Sequence, residues 1–129
     1  MKKILVLGAS GQIGRALKKD LIEWNEVEFL SRKDLDFQKI ELIETKIKKF
    51  QPDFIINAAA YTNVDGAEDS REEAFQINSF ALDKLSKLAD FYGIVLVHFS
   101  TDYVFDGQKN TPYLETDTPN PLSIYGKSK

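Results

Sequence analysis

The sequence predicts a doubly wound α/β fold, a parallel sheet with helices on both faces. Three observations carry this. A short apolar strand breaks into a glycine-rich turn and a helix over residues 2–14, strands alternate with helical stretches along the chain, and the strands are apolar on both sides. A strand without polar alternation belongs in a sheet buried on both faces. Strands separated by helical crossovers wind such a sheet.

The elements follow in order. Ile4–Leu7 is the first strand, and Gly8, Gly11 and Gly14 follow it as GxxGxxG, with Ser10 where the commoner dinucleotide fingerprint has its second glycine. Glycines there keep the turn tight, admit a ligand to the backbone and let helix pack on strand. The helix start offers unpaired N–H groups and a positive dipole end, which suit a pyrophosphate. Alone, the pattern equally serves an ordinary strand-to-helix connection. Ile13, Leu17, Leu21 and Trp24 then recur at helical spacing, an amphipathic helix lying on the sheet. A turn at Asn25 leads to the strand Val27–Leu30, and the next helix carries Ile40, Ile43, Ile47 and Phe50 on one face. Its lysines and glutamates form a solvated face.

Pro52 closes that helix ahead of a third strand, Phe54–Asn57. Ser70 with Glu73 reads as a capping box that starts a long helix through about Ala89. Ile94–Val97 is the fourth strand, running into His98-Phe99-Ser100-Thr101. The Rossmann arrangement orders the strands 3-2-1-4. From Asp106 to Ser123 the chain is turn-like, and a helix starts after Pro121.

Composition bounds the function. The 129 residues suffice for one domain and one core. A net charge of −3 leaves no electrostatic footprint for nucleic acid or an anionic membrane. The absence of cysteine excludes disulfides, thiolate metal sites and a cysteine nucleophile. The first apolar run is too short for a signal peptide or a membrane span, so a cytoplasmic protein is expected.

Tyr125 and Lys129 lie four apart, on one face of a helix. An ammonium one turn from a phenol favours the phenolate, and such a phenol can protonate a carbonyl oxygen while hydride reaches the carbon. Thr101 ends the fourth strand, beside the switch point where open α/β sheets bind ligands. Its hydroxyl suits a substrate carbonyl, or it caps a loop. His98, the sole histidine, reads as a buried supporting residue rather than a base.

The stretches GASGQIG (8–14), NAAAYTNVDGAE (57–68), STDYVFDG (100–107) and YGKSK (125–129) together resemble the dTDP-4-dehydrorhamnose reductase branch of the extended short-chain dehydrogenase/reductases. The resemblance runs along the whole chain. It implies NAD(P)H-dependent reduction of the 4-keto group of a dTDP-sugar, for dTDP-rhamnose and cell-surface polysaccharide. It further implies that Gly8, Gly11, Gln12, Ile13 and Gly14 hold the pyrophosphate. Asp36 and Phe37 fall to the adenine pocket, and Ala58, Ala59, Ala60, Tyr61 and Thr62 to the ribose–nicotinamide region. Thr101 and Asp102 would touch substrate, Thr101 also tuning the catalytic acid; Tyr125 would donate the proton, and Lys129 would be its electrostatic partner and a ribose ligand. No metal ligand is implied.

Cofactor choice turns on the end of the second strand. Ser31-Arg32-Lys33 puts no carboxylate there, and an arginine suits a 2′-phosphate, so NADPH is expected with NADH second, although Asp34 is close. Relatives continue past this lysine into a C-terminal sugar-nucleotide domain. Residues 1–129 are therefore expected to be the NAD(P)-binding part without that domain, and to turn over poorly or not at all alone. An open sheet edge would carry aggregation risk, and a homodimer is one way to cover it. Two other readings stay open. One is a non-catalytic module, since the regulatory subunit of methionine adenosyltransferase resembles this same branch. The other is a sugar-nucleotide epimerase or dehydratase, which shares the YxxxK pair.

Overall fold

The computed structural model describes residues 2–24 and 26–129; the turn expected at Asn25 lies outside the described residues. Four parallel strands form one sheet: β1 (Ile4–Leu7), β2 (Val27–Leu30), β3 (Phe54–Asn57) and β4 (Val95–His98). Their order is β2-β1-β3-β4, not 3-2-1-4. The third strand crosses to the far side of β1 instead of lining up outside β2. Asp53 clips the start of β3 to the start of β1, accepting from the Lys3 amide at 2.8 Å and from Lys2 Nζ at 2.9 Å. The register follows, with Ile4 opposite Phe54 and Leu7 opposite Asn57.

Alternation then sorts the two faces. Leu5, Leu7, Leu30 and Ile55 form one buried cluster with Ile43 and Ile47 of α2 (Ile43–Phe50) and with Ala81 and Leu85 further along the chain. α2 is preceded by a 3₁₀ segment, Phe37–Leu42, which is itself broken at Lys39, where the backbone leaves the helical region at φ −126°, ψ 48°. Ile40, Ile43 and Ile47 all follow that break and share a buried side across the junction of the 3₁₀ segment with α2. Gln51 ends α2 in the left-handed region at φ 53°, ahead of Pro52.

The opposite face is covered by α1 (Gln12–Asp20), where Lys18 lies over the Phe29 ring. This cover is partial. Ile4 and Val6 are buried, while Val95 and Val97 on the same face of β4 stay 52% and 41% exposed. Along α1 itself only Gly14 is buried, so the amphipathic stripe from Ile13 to Trp24 is only partly seated on the sheet.

The long helix expected from Ser70 is built in pieces. Short turns α3 (Gly66–Asp69) and α4 (Arg71–Phe75) lead into a π-helical stretch, Gln76–Phe80, and then α5 (Ala81–Tyr92). The capping box does not form, because Ser70 makes no side-chain cap and Glu73 turns to Arg32 and Gln38 instead. α5 ends on Gly93 in the left-handed conformation. The turn-like stretch is ordered around Asp106, whose carboxylate accepts from the Gln108 amide, Tyr113 Oη and Asn120 Nδ2. A last helix, α6 (Ile124–Ser128), starts on Ser123, which caps the Gly126 amide at 3.0 Å.

Candidate active site

β1 connects to β2 on one side and β3 to β4 on the other, so the chain reverses direction between β1 and β3. The crevice at their carboxyl ends is where open α/β sheets bind ligands. Gly8 sits there at φ +80°, and a Cβ on it would lie 2.5 Å from the Ala59 amide nitrogen. Gly14 is equally constrained, since its Cβ would meet the Gly8 carbonyl oxygen at 2.2 Å. Both glycines are required by the fold. Gly11 is different: a Cβ there would make only an ordinary 3.4 Å contact, so the fold itself does not require glycine at this position. As N-cap of α1 it offers no side-chain oxygen. The first α1 amides, those of Gln12 and Ile13 among them, are therefore left for something else.

A groove of two lobes crosses this point, and the lobes share Gly11, Ala58, Ala59 and Ala60. One lobe, about 190 Å³, is lined by Gly8, Ser10, Arg32, Leu35, Asp36, Phe37 and Ile77 as well. The other, about 510 Å³, adds Gln12, Ile13, Arg15, Asn57, Thr62, Phe99, Ser100, Tyr125 and Lys129. Two compartments meeting at a helix N-terminus fit a dinucleotide, with a nucleoside in each lobe and the pyrophosphate between them.

Most residues singled out in the sequence border this groove. Asp36 caps the Gln38 amide at 3.0 Å and also lines the smaller lobe, with Phe37 buried beneath. Arg32 lines the same lobe, paired with Asp36 and Glu73 at 3.7 and 3.4 Å. Ser31 does not border it: its amide and hydroxyl hold Asp34 at 2.8 and 2.6 Å. Those bonds keep the Asp34 carboxyl below the usual carboxylate range and turn it into the local loop. Tyr61 packs against the core, while its neighbours Ala60 and Thr62 reach the groove.

Tyr125 and Lys129 meet in the larger lobe, as their spacing requires. Lys129 Nζ donates to the Phe99 carbonyl at 2.7 Å, and burial pulls its pKa down from the usual lysine value. Tyr125 stands edge-on to Tyr103, with ring centroids 5.6 Å apart. Thr101 is not brought into the lobe. Its hydroxyl caps a 3₁₀ turn, accepting from the Tyr103 amide and donating to Asp102, both at 3.3 Å. Ser100 borders the groove at that strand end. Asp102 lines a separate depression of about 400 Å³ with Tyr103, Phe105, Tyr113 and Ser123.

Beneath the groove lies Asn57, which sequence reasoning passed over. Its Oδ1 accepts from the Ala59 amide at 3.1 Å, which directs its Nδ2 to His98 Nδ1 at 3.2 Å. The imidazole therefore accepts at Nδ1 and carries its proton on Nε2, which is buried without a partner among the described residues. Burial first and the nearby Lys129 second lower the His98 pKa. Such an imidazole is neutral and supports the groove wall. Its signal in the sequence was slight, an Asn and a His each ending a strand.

Among the described residues, no helix is long and apolar enough to cross a membrane. The family described as the RmlD substrate binding domain matches residues 1–129. A dTDP-4-dehydrorhamnose reductase of Aggregatibacter actinomycetemcomitans is 42% identical over all of this chain and 45% of its own length. The crystal structure of the Bacillus anthracis dTDP-4-dehydrorhamnose reductase in complex with NADP matches with a TM-score of 0.93 at 35% identity, covering 98% of this chain and 46% of that one. The methionine adenosyltransferase 2 subunit beta of Bos taurus is 38% identical over 99% of this chain and 40% of its own length. The chain thus spans about half the length of the curated relatives it matches, and it belongs to the RmlD substrate binding domain family.

Proposed function

We propose that residues 1–129 are the NAD(P)-binding Rossmann part of a dTDP-4-dehydrorhamnose reductase, taking NADPH in preference to NADH. One observation carries the reading: a two-lobed groove meets at the uncapped N-terminus of α1, with Tyr125 and Lys129 in one lobe. The groove fits the dinucleotide because Gly11 leaves room that no protein atom fills. Gly8 and Gly14 hold the turn, the Gly11 amide is engaged by the Gly8 carbonyl at 3.1 Å, and the Gln12 and Ile13 amides bind the pyrophosphate over Gly11. Asp36, Phe37 and Arg32 take the adenosine end, where the arginine suits a 2′-phosphate and Asp34 is already engaged by Ser31. Ala58, Ala59, Ala60 and Thr62 line the passage to the nicotinamide end.

When bound, the nicotinamide supplies a hydride to the 4-keto carbon of the dTDP-sugar. Tyr125 gives its hydroxyl proton to the carbonyl oxygen. Lys129, anchored on the Phe99 carbonyl, keeps a positive charge in the lobe and has further N–H donors for a ribose. Thr101, which caps the 3₁₀ turn after β4, and Asp102, in the neighbouring depression, would meet the sugar nucleotide outside this lobe.

Titration with NADPH and then NADH, read by nucleotide fluorescence and thermal shift together, tests the proposal. Saturable binding with a raised melting temperature is expected, equivalent to about 2.7 kcal/mol at a hundredfold excess over Kd. A folded chain that binds neither nucleotide overturns it, and tighter NADH binding overturns the cofactor preference. A second reading, a cofactor-binding module that does not turn over, is favoured by the likeness to the methionine adenosyltransferase subunit. Cofactor binding with no reduction of dTDP-4-dehydrorhamnose, even by a full-length relative carrying this chain in place of its own N-terminal part, selects that reading.

A further inference from the structure

We propose that Glu73 is a specificity-determining residue that competes with a cofactor 2′-phosphate for Arg32 and so limits the preference for NADPH; the role rests on the function proposed above. Arg32 lies just past the end of β2 and lines the smaller lobe, where the 2′-phosphate would be met. One edge of its guanidinium is already engaged. Nη2 donates to Glu73 Oε1 at 3.4 Å, and Nε faces Asp36 Oδ1 at 3.7 Å. Asp36 belongs to the lobe and also caps the Gln38 amide. Glu73 does not border the lobe. It stands in α4, 41 residues further along the chain, and reaches Arg32 from outside.

Glu73 is fixed in that place. Gln38 Nε2 donates to the same Oε1 at 3.1 Å, so the carboxylate is held at the corner between the end of β2 and the 3₁₀ segment. Arg71, which shares a surface depression with Glu73, is turned instead onto the Phe75 ring, 5.4 Å from its centroid. Charge then decides the competition. Arg32 meets two carboxylates, so the corner is net negative before any cofactor arrives. A 2′-phosphate brings a further charge of about −1.5 to −2. A guanidinium grips a phosphate best through two neighbouring N–H groups. Glu73 and Asp36 occupy the Nε–Nη2 edge, one of the edges that offer such a fork, and a phosphate takes that edge only by displacing them. Both contacts are long and the Arg32 side chain is 63% exposed, so displacement costs little without being free. NADH carries a hydroxyl there and leaves the corner as it is. The lobe therefore admits either nucleotide and leans to NADPH by less than Arg32 alone would give.

Fluorescence titration with NADPH and with NADH, on the wild type, Glu73→Gln, Arg32→Gln and the double variant, tests the competition. The glutamine removes the charge and keeps an acceptor for Gln38. At low salt NADPH should bind Glu73→Gln about fivefold more tightly, the size expected for one partly screened charge near a dianion, while NADH affinity changes by less than about twofold. At about 0.5 M salt the gain should shrink below about twofold. In the Arg32→Gln background most of the gain should vanish, because the glutamate acts through the arginine. A full gain in that background means that Glu73 repels the phosphate directly, and it overturns the competition. Equal tightening or equal weakening of both nucleotides, the mark of a merely structural effect on the lobe, also overturns it. So does an NADPH affinity indifferent to Glu73→Gln, which leaves the cofactor reading standing. Glu73→Ala, which removes the acceptor as well, should gain at least as much and reads the same contact if the glutamine variant does not fold. A wild type that binds NADH more tightly, with Glu73→Gln reversing the order, overturns the NADPH preference and supports the competition. A chain that binds neither nucleotide, with or without Glu73, overturns the cofactor reading and the proposal with it.

Discussion

Replacing Gly14 with alanine separates helix propensity from packing, because the two predict opposite signs. Gly14 lies inside α1, and an interior Gly→Ala change ordinarily stabilises a helix by about 1 kcal/mol. Here the new Cβ would stand 2.2 Å from the Gly8 carbonyl oxygen, 2.7 Å from Ala9 Cα and 2.9 Å from the Ala9 carbonyl carbon. All three are backbone atoms of the turn, so no side chain can swing away. The helix must retreat by on the order of 1 Å, an overpacking that costs about 1–3 kcal/mol. Three backbone contacts under 3 Å put the cost at the upper end of that range, so a net destabilisation of about 1–2 kcal/mol follows, lowering the melting temperature by several degrees. The retreat also carries the Gln12 and Ile13 amides away from the groove, so NADPH affinity should drop in the molecules that remain folded. Urea unfolding at fixed m-value, followed by nucleotide titration below the transition, measures both. A Gly14→Ala chain as stable as the wild type, or more so, would refute the packing argument.

Gly11→Ala gives the complementary result. With its nearest contact at 3.4 Å and φ at −74°, the chain should fold with a stability loss of no more than about 1 kcal/mol from the weaker N-cap, yet lose most of its nucleotide affinity. Unchanged NADPH titration would show that the groove does not bind where Gly11 leaves room. The pH dependence should expose His98. Its folded-state pKa is below the unfolded value near 6.5, so the unfolded chain binds more protons and stability falls as pH drops through about 6.5 towards the folded value. The neutral ring is fully favourable only above that window. Protonation also makes Nδ1 a donor facing Asn57 Nδ2, a contact that cannot be kept. Denaturation curves from pH 8 to 5 should show the slope in wild type and lose it in His98→Gln; a slope that survives belongs to another group. Finally, Val97→Lys on the uncovered face of the edge strand should reduce self-association seen by light scattering, with stability changed by less than about 0.5 kcal/mol. Identical scattering from both proteins would show that this face is not sticky.

The strands, the glycine turn and the Tyr125–Lys129 pair were legible in the sequence because each rests on local spacing. Apolar runs make buried strands wherever they stand, glycines mark tight turns, and residues four apart share a helix face. Asp36 and Phe37, which the resemblance assigns to the adenine pocket, border the groove, and the structure adds that Asp36 caps the Gln38 amide and Phe37 is buried. What no local pattern carries is which strand pairs with which. β3 pairs with β1, and Asp53 bonds Lys2 and Lys3 there, between residues about fifty apart in sequence. The capping box at Ser70 and Glu73 was locally well formed and still lost. Arg32 and Gln38 lie beside Glu73 only after folding, and the competing contacts are tertiary. Thr101 and Ser100 are adjacent and chemically alike, yet the 3₁₀ turn after β4 gives the cap to one and the groove to the other. Asn78 Nδ2 donates to Ser128 Oγ at 2.9 Å across fifty residues of chain, and neither residue carries a motif of its own. By itself the sequence determined the elements and the chemistry on each. Only the tertiary structure decided strand order, the shape of the groove and the buried polar ties across it, because those are set by contacts between residues far apart in the chain.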